Sequence, residues 1–298
     1  NRISFIKDSG QSWKKNLKYF LKNDYKKNPS VVIISGSPFM HFGLTKWIKR
    51  EFGCKVILDY RDPFAINPGF QNSKLKIAIK RYYEKQFNKS ADALVTVNKH
   101  CAEIISNFNS KKHAIIQNGY DETVVLDVKP VELNSASLVY TGKFYFDPTP
   151  LMQALSNSDV KMHYAGPDSA QIEGFDSIIN HGFVSYEEAV TIIAQNDIGI
   201  IQTYGEDFQS TTKLFDYIRC KKVILIISAN FIERGSVHEE LSGYPNVFWA
   251  KNDSTSIKKT LIEIKNSVYT QPSSEFCYSF SRMKQMQKLI TLINNLIK

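Results

Sequence analysis

The sequence predicts an α/β protein made of two Rossmann-like parallel-sheet domains. Three observations predict it. Short apolar runs of strand length alternate with amphipathic stretches of helical period along most of the chain. The joints are short, and Gly142, Gly166 and Gly182 each fall just after a strand, where the backbone must turn or approach a ligand. The alternation pauses once, over residues 122–135 around Pro130, which read as a linker. The first domain is therefore placed at 1–133, the second at 134–273, and a terminal helix at 274–298.

Composition narrows the function. The 298 residues are enough for two domains, and 43% are hydrophobic, so sizeable cores can be buried. A net charge of +9 favours an anionic partner: a nucleotide, a phosphorylated lipid, a membrane surface or nucleic acid. The lysines are spread over helices of both domains without a recognised nucleic-acid module, which sets nucleic acid last. Cys54, Cys101, Cys220 and Cys277 lie far apart and make no Cys-x-x-Cys pair, which argues for a reducing compartment and against a zinc site or a disulfide framework. The six histidines have no metal-ligand spacing, so no metal is expected. No run reaches the length of a transmembrane helix and no signal peptide is evident, so a cytoplasmic location is expected. The chain begins with Asn1 and not Met, and is read as a piece of a longer one.

In chain order, residues 11–27 carry Trp13, Leu17, Tyr19, Phe20 and Leu21 among six lysines, a basic amphipathic helix. It reads either as a solvated face or as a membrane-surface helix. Val31–Ser35 is a strand that breaks at Gly36-Ser37-Pro38, a helix follows over 39–52, and Lys55–Tyr60 is the next strand. This βαβ unit ends in Arg61-Asp62-Pro63, where ligands bind parallel sheets. The alternative for Arg61 and Asp62 is a local ion pair fixing a loop before proline. A second basic helix spans 74–90; strands at 93–97 and 114–116 flank a helix at 100–108, and Asn118-Gly119 turns the chain.

Beyond the linker, strands are expected at 137–141, 161–165, 177–180, 198–201, 223–227 and 247–249. Helices are expected near 149–156, 186–195, 212–219, 231–241 and 254–267, and again from 276 to the end. Residues 207–227 stand out: a polar loop ends in Ser210-Thr211-Thr212, Lys213 follows, then an apolar helix and a strand. Thr211 or Thr212 suits an N-cap, and the first helical turn with Lys213 suits a diphosphate. Asp216, one turn on, suits sugar hydroxyls. The competing reading is an ordinary capped helix with a surface Lys–Asp pair.

The order of motifs resembles the GT-B glycosyltransferases, in particular the retaining class that uses nucleotide sugars. Four pieces carry the resemblance: VVIISGSPF…GCKVILDYRDPF (31–64), SADALVTVNKHCAEII…HAIIQNGYDE (90–122), LVYTGKFYFDPTPLMQAL (138–155) and INHGFVSYEEAVTIIAQNDIGIIQ…STTKLFDYIRCKKVIL (179–225). The resemblance implies two domains facing a cleft, with the last helix crossing back to the first. It implies Gly142 and Lys143 beside the donor diphosphate, and Gly182, Phe183 and Val184 bordering the nucleobase. It implies Thr211, Thr212 and Lys213 on phosphate, and Asp216 in place of a ribose-binding Glu. Arg61 and Asp62 fall on the loop facing the donor, with Asp62 orienting the acceptor hydroxyl. His41 is a weaker candidate for that work than for packing, and His163 and His181 read mainly as structural.

The implied reaction moves a sugar from a nucleotide sugar such as a UDP- or GDP-sugar to a glycan or lipid-linked acceptor with retention. Front-face attack assisted by the leaving phosphate needs no protein base. The sequence has no Asp-x-Asp, the usual metal-binding pair of the other major glycosyltransferase fold, which fits cationic groups acting in place of a metal. The basic helices place the protein peripherally on the inner, anionic face of the cell membrane. There are departures. The position eight before Asp216, where many members carry a first Glu, is Phe208, with Glu206 and Asp207 nearby; Thr211 replaces Pro, and Lys222 precedes Val223 in place of Pro. Fewer residues precede Val31 than the family carries there, so the first domain is expected to lack its start. These departures support a non-catalytic nucleotide-sugar-binding subunit as the alternative, and a sugar-nucleotide epimerase of the same architecture as a further one.

Overall fold

The computed structural model describes residues 8–12, 14–66, 73–156, 158–230 and 234–298. Asn1, Trp13 and the first three positions of the helix expected over 231–241 lie outside the described residues. The chain divides into two compact units, one of residues 1–117 with 285–298 and the other of residues 118–284.

The first unit begins with α1 (Lys14–Asn23), then β1 (Val31–Gly36), α2 (Thr45–Phe52), β2 (Lys55–Tyr60), α3 (Lys74–Ser90), β3 (Ala93–Thr96), α4 (Lys99–Ile104) and β4 (Lys112–Ile115). The strands pair in parallel in the order β1-β2-β3-β4. Local chemistry sets the helix ends. Ser73 accepts from Lys76 N at 3.4 Å to start α3, Asn98 from Cys101 N at 2.7 Å to start α4, and Gly53 closes α2 in the left-handed region at φ 62°. The stretch after β1 splits: a 3₁₀ turn over Met40–Leu44 precedes α2, where the sequence predicts one helix from 39 to 52.

The second unit holds β5 (Leu138–Thr141), α5 (Thr149–Leu155), β6 (Met162–Ala165), β7 (Ile178–Asn180), α6 (Tyr186–Gln195), β8 (Ile198–Thr203), α7 (Lys213–Arg219), β9 (Val223–Ser228), α8 (Gly235–Glu240), β10 (Val247–Lys251), α9 (Ser254–Asn266) and α10 (Ser274–Ser279). Its six parallel strands run β10-β9-β8-β5-β6-β7. The first strand in sequence sits inside the sheet, so the winding reverses between β5 and β8, and a crevice opens at their carboxyl ends. Strands β8 and β9 are buried along their whole length, as a sheet covered on both faces requires.

Two differences from the sequence reading have physical causes. The units divide at 117/118 and not at 133/134, because the segment read as a linker is fastened to the second unit: Arg219 donates to the carbonyls of Asp121 and Val124, Lys129 N to Ala194 O, and Glu132 N to Asp197. The terminal helix is two helices, α10 and α11 (Arg282–Ile297). Between them Tyr120 N donates to Phe280 O at 3.2 Å and Arg282 N to Tyr120 O at 3.0 Å, so the chain forms a bridge there and breaks the helical ladder. Beyond Gln285, α11 belongs to the first unit, where Leu292 and Leu296 join Ile57, Ala93, Val95 and Ile116 in its core. Lys222, which precedes Val223, is fully buried and donates to the carbonyls of Lys129 at 2.9 Å and Ala194 at 2.8 Å, an internal tie.

All four cysteines are buried free thiols, two in each unit. Among the described residues no helix is long and apolar enough to cross a membrane.

Packing under the crevice is tight. Gly199 of β8 faces the Tyr217 ring, and a Cβ there would lie 2.5 Å from it. Gly199→Ala is therefore expected to destabilise the second unit by roughly 1–3 kcal/mol or more, the usual cost of overpacking a core. Gly199→Ala combined with Tyr217→Leu should recover part of the loss in denaturant unfolding; equal stability of wild type and Gly199→Ala would contradict this packing.

Candidate functional site

A cavity of about 340 Å³ opens in the second unit at the carboxyl ends of β5 and β6, beside the switch point. Gly142 and Gly166 form one wall, Phe183–Tyr186 another, and Thr212, Lys213 and Asp216 of the α7 segment a third. Each wall is a loop held by the sheet. Gly142 sits at φ +91° and donates to Ala165 O at 2.7 Å. An added Cβ would lie 3.1 Å from Lys213 Cε, so only glycine provides both the turn and the room for the lysine stem. Gly166 is similarly confined, since its Cβ would meet Gly142 O at 2.4 Å.

Lys213 is the cation of the site. Its ammonium donates to Tyr140 Oη at 3.0 Å and lies 4.2 Å from the Tyr140 ring centre and 5.1 Å from that of Tyr145. Tyr140 in turn donates to Lys143 O at 2.7 Å and stacks on Phe144 at 4.7 Å. Among the described residues Lys213 has no ion pair. Burial pushes its pKa down to about 8, with the Asp168 carboxylate opposing. The surface Lys–Asp pair considered above does not form: Lys213 bonds Tyr140, and Asp216 bonds Tyr186.

Asp216 is buried and accepts from Tyr186 Oη at 2.8 Å. Burial raises its pKa to about 6; the Tyr186 hydrogen bond, Arg282 and Arg219 pull the other way. Arg282 lies 5.8 Å over the Tyr186 ring, pairs with Asp121 at 2.9 Å and donates to Gly119 O at 3.2 Å. Ser185 caps α6 through a capping box with Glu188, which fixes where Tyr186 begins its helix.

The structure brings Gly142, Phe183, Val184, Thr212, Lys213 and Asp216 together around this cavity. Phe183 is 86% exposed at its rim. Lys143 is exposed, its carbonyl accepting from Tyr140; Gly182 turns the preceding loop at φ +69°; Thr211 is buried behind the wall. None of these three lines the cavity. Neither threonine caps α7 with its side chain: Thr212 holds the cap position already in helical geometry, so its hydroxyl does not reach the amides it would satisfy. The loop is fastened otherwise, Ser210 donating to the buried Glu240 and Gln209 accepting from Thr203 Oγ1 and Tyr204 N. Burial lifts the Glu240 carboxyl to about 8.

Arg61 and Asp62 belong to the first unit, on the loop after β2. The local Arg61–Asp62 pair is replaced by Arg61 with Asp59, at 3.7 Å. The Asp62 side chain reaches solvent, yet the protein around it partly desolvates the carboxyl and raises its pKa, with Arg61 opposing. His41 is buried and bonds Ser35 O at 3.0 Å, a packing role. His163 Nδ1 and His181 Nε2 lie 3.0 Å apart. Sequence reasoning missed Tyr186 and Arg282. The Ser185-x-x-Glu188 capping box signals the first locally, but nothing local signals Arg282, which reaches Gly119 from 163 residues away.

No family model matches the chain, and no curated protein matches it in sequence. Solved structures do match in fold. The GtfA/B complex aligns with a TM-score of 0.63 at 12% identity, over 95% of this chain and 60% of that one. A trehalose-6-phosphate structure from E. coli, bound with UDP-2-fluoro glucose, gives 0.62 at 10% identity, over 97% and 75%. UGT89C1 of Arabidopsis thaliana, complexed with UDP-L-rhamnose, gives 0.54 at 13% identity, over 96% and 76%. At these identities the likeness is one of fold, and the fold is GT-B: two Rossmann-like parallel-sheet units. The chain spans three-fifths of the length of the first of these neighbours.

Asp216 has a measurable signature. Its folded pKa of about 6 stands above the ordinary 3.8, so its contribution to stability is full below pH 3.8 and is lost as pH rises through 6. Asp216→Asn, which keeps an acceptor for Tyr186, is expected to stabilise the ligand-free protein at pH 7.5 by on the order of 1–3 kcal/mol. It should also flatten the fall in Tm between pH 4 and pH 7, in line with the group's shift to about 6. Parallel Tm–pH profiles for wild type and variant would contradict the assignment.

Proposed function

We propose that this chain is a glycosyltransferase that takes a sugar from a nucleotide sugar, with the cavity of the second unit as the donor site. The observation that carries the reading is Lys213: a partly buried cation, without a carboxylate partner among the described residues, beside the glycine turn of Gly142. A group in that state gains most from a doubly charged phosphate. Asp216, at the other end of the same wall, is ionised at neutral pH and accepts hydroxyls, as a ribose presents them. The two UDP-sugars named with the E. coli and Arabidopsis structures support a UDP-sugar as donor, with a GDP-sugar as the other candidate.

In this reading the bond between the anomeric carbon and the diphosphate oxygen breaks as the acceptor oxygen attacks from the same face, and the configuration is retained. The acceptor proton passes to the leaving phosphate. Lys213 holds the charge that grows on the diphosphate and needs no reorganisation to do so. Lys143, exposed beside Gly142, supplies a second, mobile cation. Thr211, Thr212 and Gly142 shape the phosphate side, and Gly182, Phe183 and Val184 the nucleobase side. Asp62 orients the acceptor hydroxyl and Arg61 holds the loop. The acceptor is a glycan or a lipid-linked precursor at an anionic membrane face, and the cationic side chains take the place of a metal ion.

A non-catalytic donor-binding subunit is the second reading. Phe208 stands where a first carboxylate is expected, and Asp207 is held by Arg234 at 2.8 Å and by Ser236. Product analysis separates the readings. Release of nucleoside diphosphate with an α-configured product from an α-configured donor supports transfer with retention. Donor that binds and survives unchanged supports the subunit, and epimerised donor supports an epimerase.

Lys213→Ala is expected to weaken nucleoside diphosphate binding about 10- to 100-fold, the range of a hydrogen bond to a charged group, and to leave nucleoside binding nearly unchanged. Equal losses for both ligands would remove the phosphate role. Because the free ammonium titrates near 8 and bound diphosphate favours its charged form, binding should take up protons at pH 8.5 and weaken as pH rises above 8. Calorimetry in buffers of different ionisation enthalpy reads this uptake, which Lys213→Ala should abolish.

A further inference from the structure

A second cavity, of about 320 Å³, lies in the first unit between α1, the start of α2 and the last turns of α3. Its accessible aromatic lining is Tyr82 and Tyr83, over a buried floor of Phe42 and Phe87, and its cations are Lys14 and Lys46. Lys14 reaches over Gly43, where an added Cβ would lie 3.0 Å from its Nζ and 3.3 Å from Phe87 Cε1. The Lys14 ammonium is half-buried and has no hydrogen-bond acceptor among the described residues. The nearest acid that acts on it, Asp8, is already occupied by the amides of Gly10 at 2.9 Å, Phe39 at 2.8 Å and Met40 at 3.3 Å. A half-buried cation at the mouth of a pocket with aromatic lining suits an anionic head on an apolar body.

The helices around it say where such a ligand comes from. Helix α1 carries no acid; the one acid of α3, Glu84, is buried and accepts from Ala65 N at 3.3 Å and Ser106 N at 2.9 Å. The charges that the two helices present to solvent are thus all positive. On α1, Lys14 and Lys18 turn towards α2, with Lys18 over the Trp47 ring at 5.1 Å, while Tyr19 and Phe20 point outwards, 68% and 49% exposed. On α3, Leu75 and Tyr82 share a helical face with Gln86 of the cavity and are 63% and 61% exposed. Exposed aromatic and aliphatic side chains among lysines, without an acid, match the interface of an anionic bilayer.

We propose that this cavity takes the phosphate head and first methylenes of a single lipid at an anionic membrane surface, with Lys14 and Lys46 on the phosphate and Tyr82 and Tyr83 beside the chain. The site is separate from the donor cavity, and it deepens the membrane part of the function proposed above, on which it rests. Two variants test it with the full chain: Lys14→Ala with Lys46→Ala removes the cations, and Gly43→Leu fills the space. Lys15→Ala with Lys22→Ala removes the same charge from the outward side of α1.

Wild type is expected to float with phosphatidylcholine vesicles that contain phosphatidylglycerol and not with phosphatidylcholine alone. It should bind hexyl phosphate at least about tenfold more tightly than inorganic phosphate or hexanol. Both cavity variants should lose hexyl phosphate binding about tenfold or more, while the Lys15/Lys22 variant keeps it. All should keep the thermal shift given by UDP, which reports the other unit. Flotation of wild type equal on neutral and anionic vesicles overturns the membrane reading together with this site. Flotation on anionic vesicles with hexyl phosphate binding unchanged in Gly43→Leu overturns the site alone.

Discussion

A partly buried ammonium that donates to a phenol and, among the described residues, to no carboxylate is an unbalanced charge, and the second unit is arranged around keeping it so. Lys213 stays in place because Tyr140 accepts from it and two rings face it. Tyr140 stays in place because it is fully buried in the first strand of its sheet and stacks on Phe144. The glycine at 142 leaves room for the lysine stem, and the strand-order reversal opens the space in front of it. A carboxylate placed against Lys213 would stabilise the free protein and remove its preference for an anionic ligand. Asp168 instead acts at a distance, its own carboxylate accepting from Phe144 N.

The sheets were the most legible part of the sequence. Ten runs read as strands correspond to the ten strands among the described residues, and helices such as α3 and α6 begin after Ser73 and Ser185, which cap them. What the sequence hid is what long-range contacts decide. Residues 122–135 look like a linker because they interrupt the alternation and hold Pro130, but their backbone is tied down by Arg219 and Asp197 from far along the chain. The helix after Ser273 looks continuous because its apolar positions keep their period through Phe280, where a bridge to Tyr120 interrupts it.

The site was legible in part for the same reason. Lys213 and Asp216 share one short helix and Gly142 ends one strand, so local pattern placed them. Arg282 and Tyr186 arrive from separate elements, and only the folded sheet puts them beside Asp216. The capping expectation for Thr211 and Thr212 failed because composition identifies residues able to cap, while backbone geometry decides whether they do.

The four thiols give the molecule an internal gauge. Cys54 and Cys101 are shut inside the first unit, Cys220 and Cys277 inside the second, and burial pushes Cys220 up to about 12. A thiol in that state does not react with an alkylating reagent until the structure around it opens. Mass-resolved alkylation of the native chain therefore times the opening of each half separately, with no engineered probe.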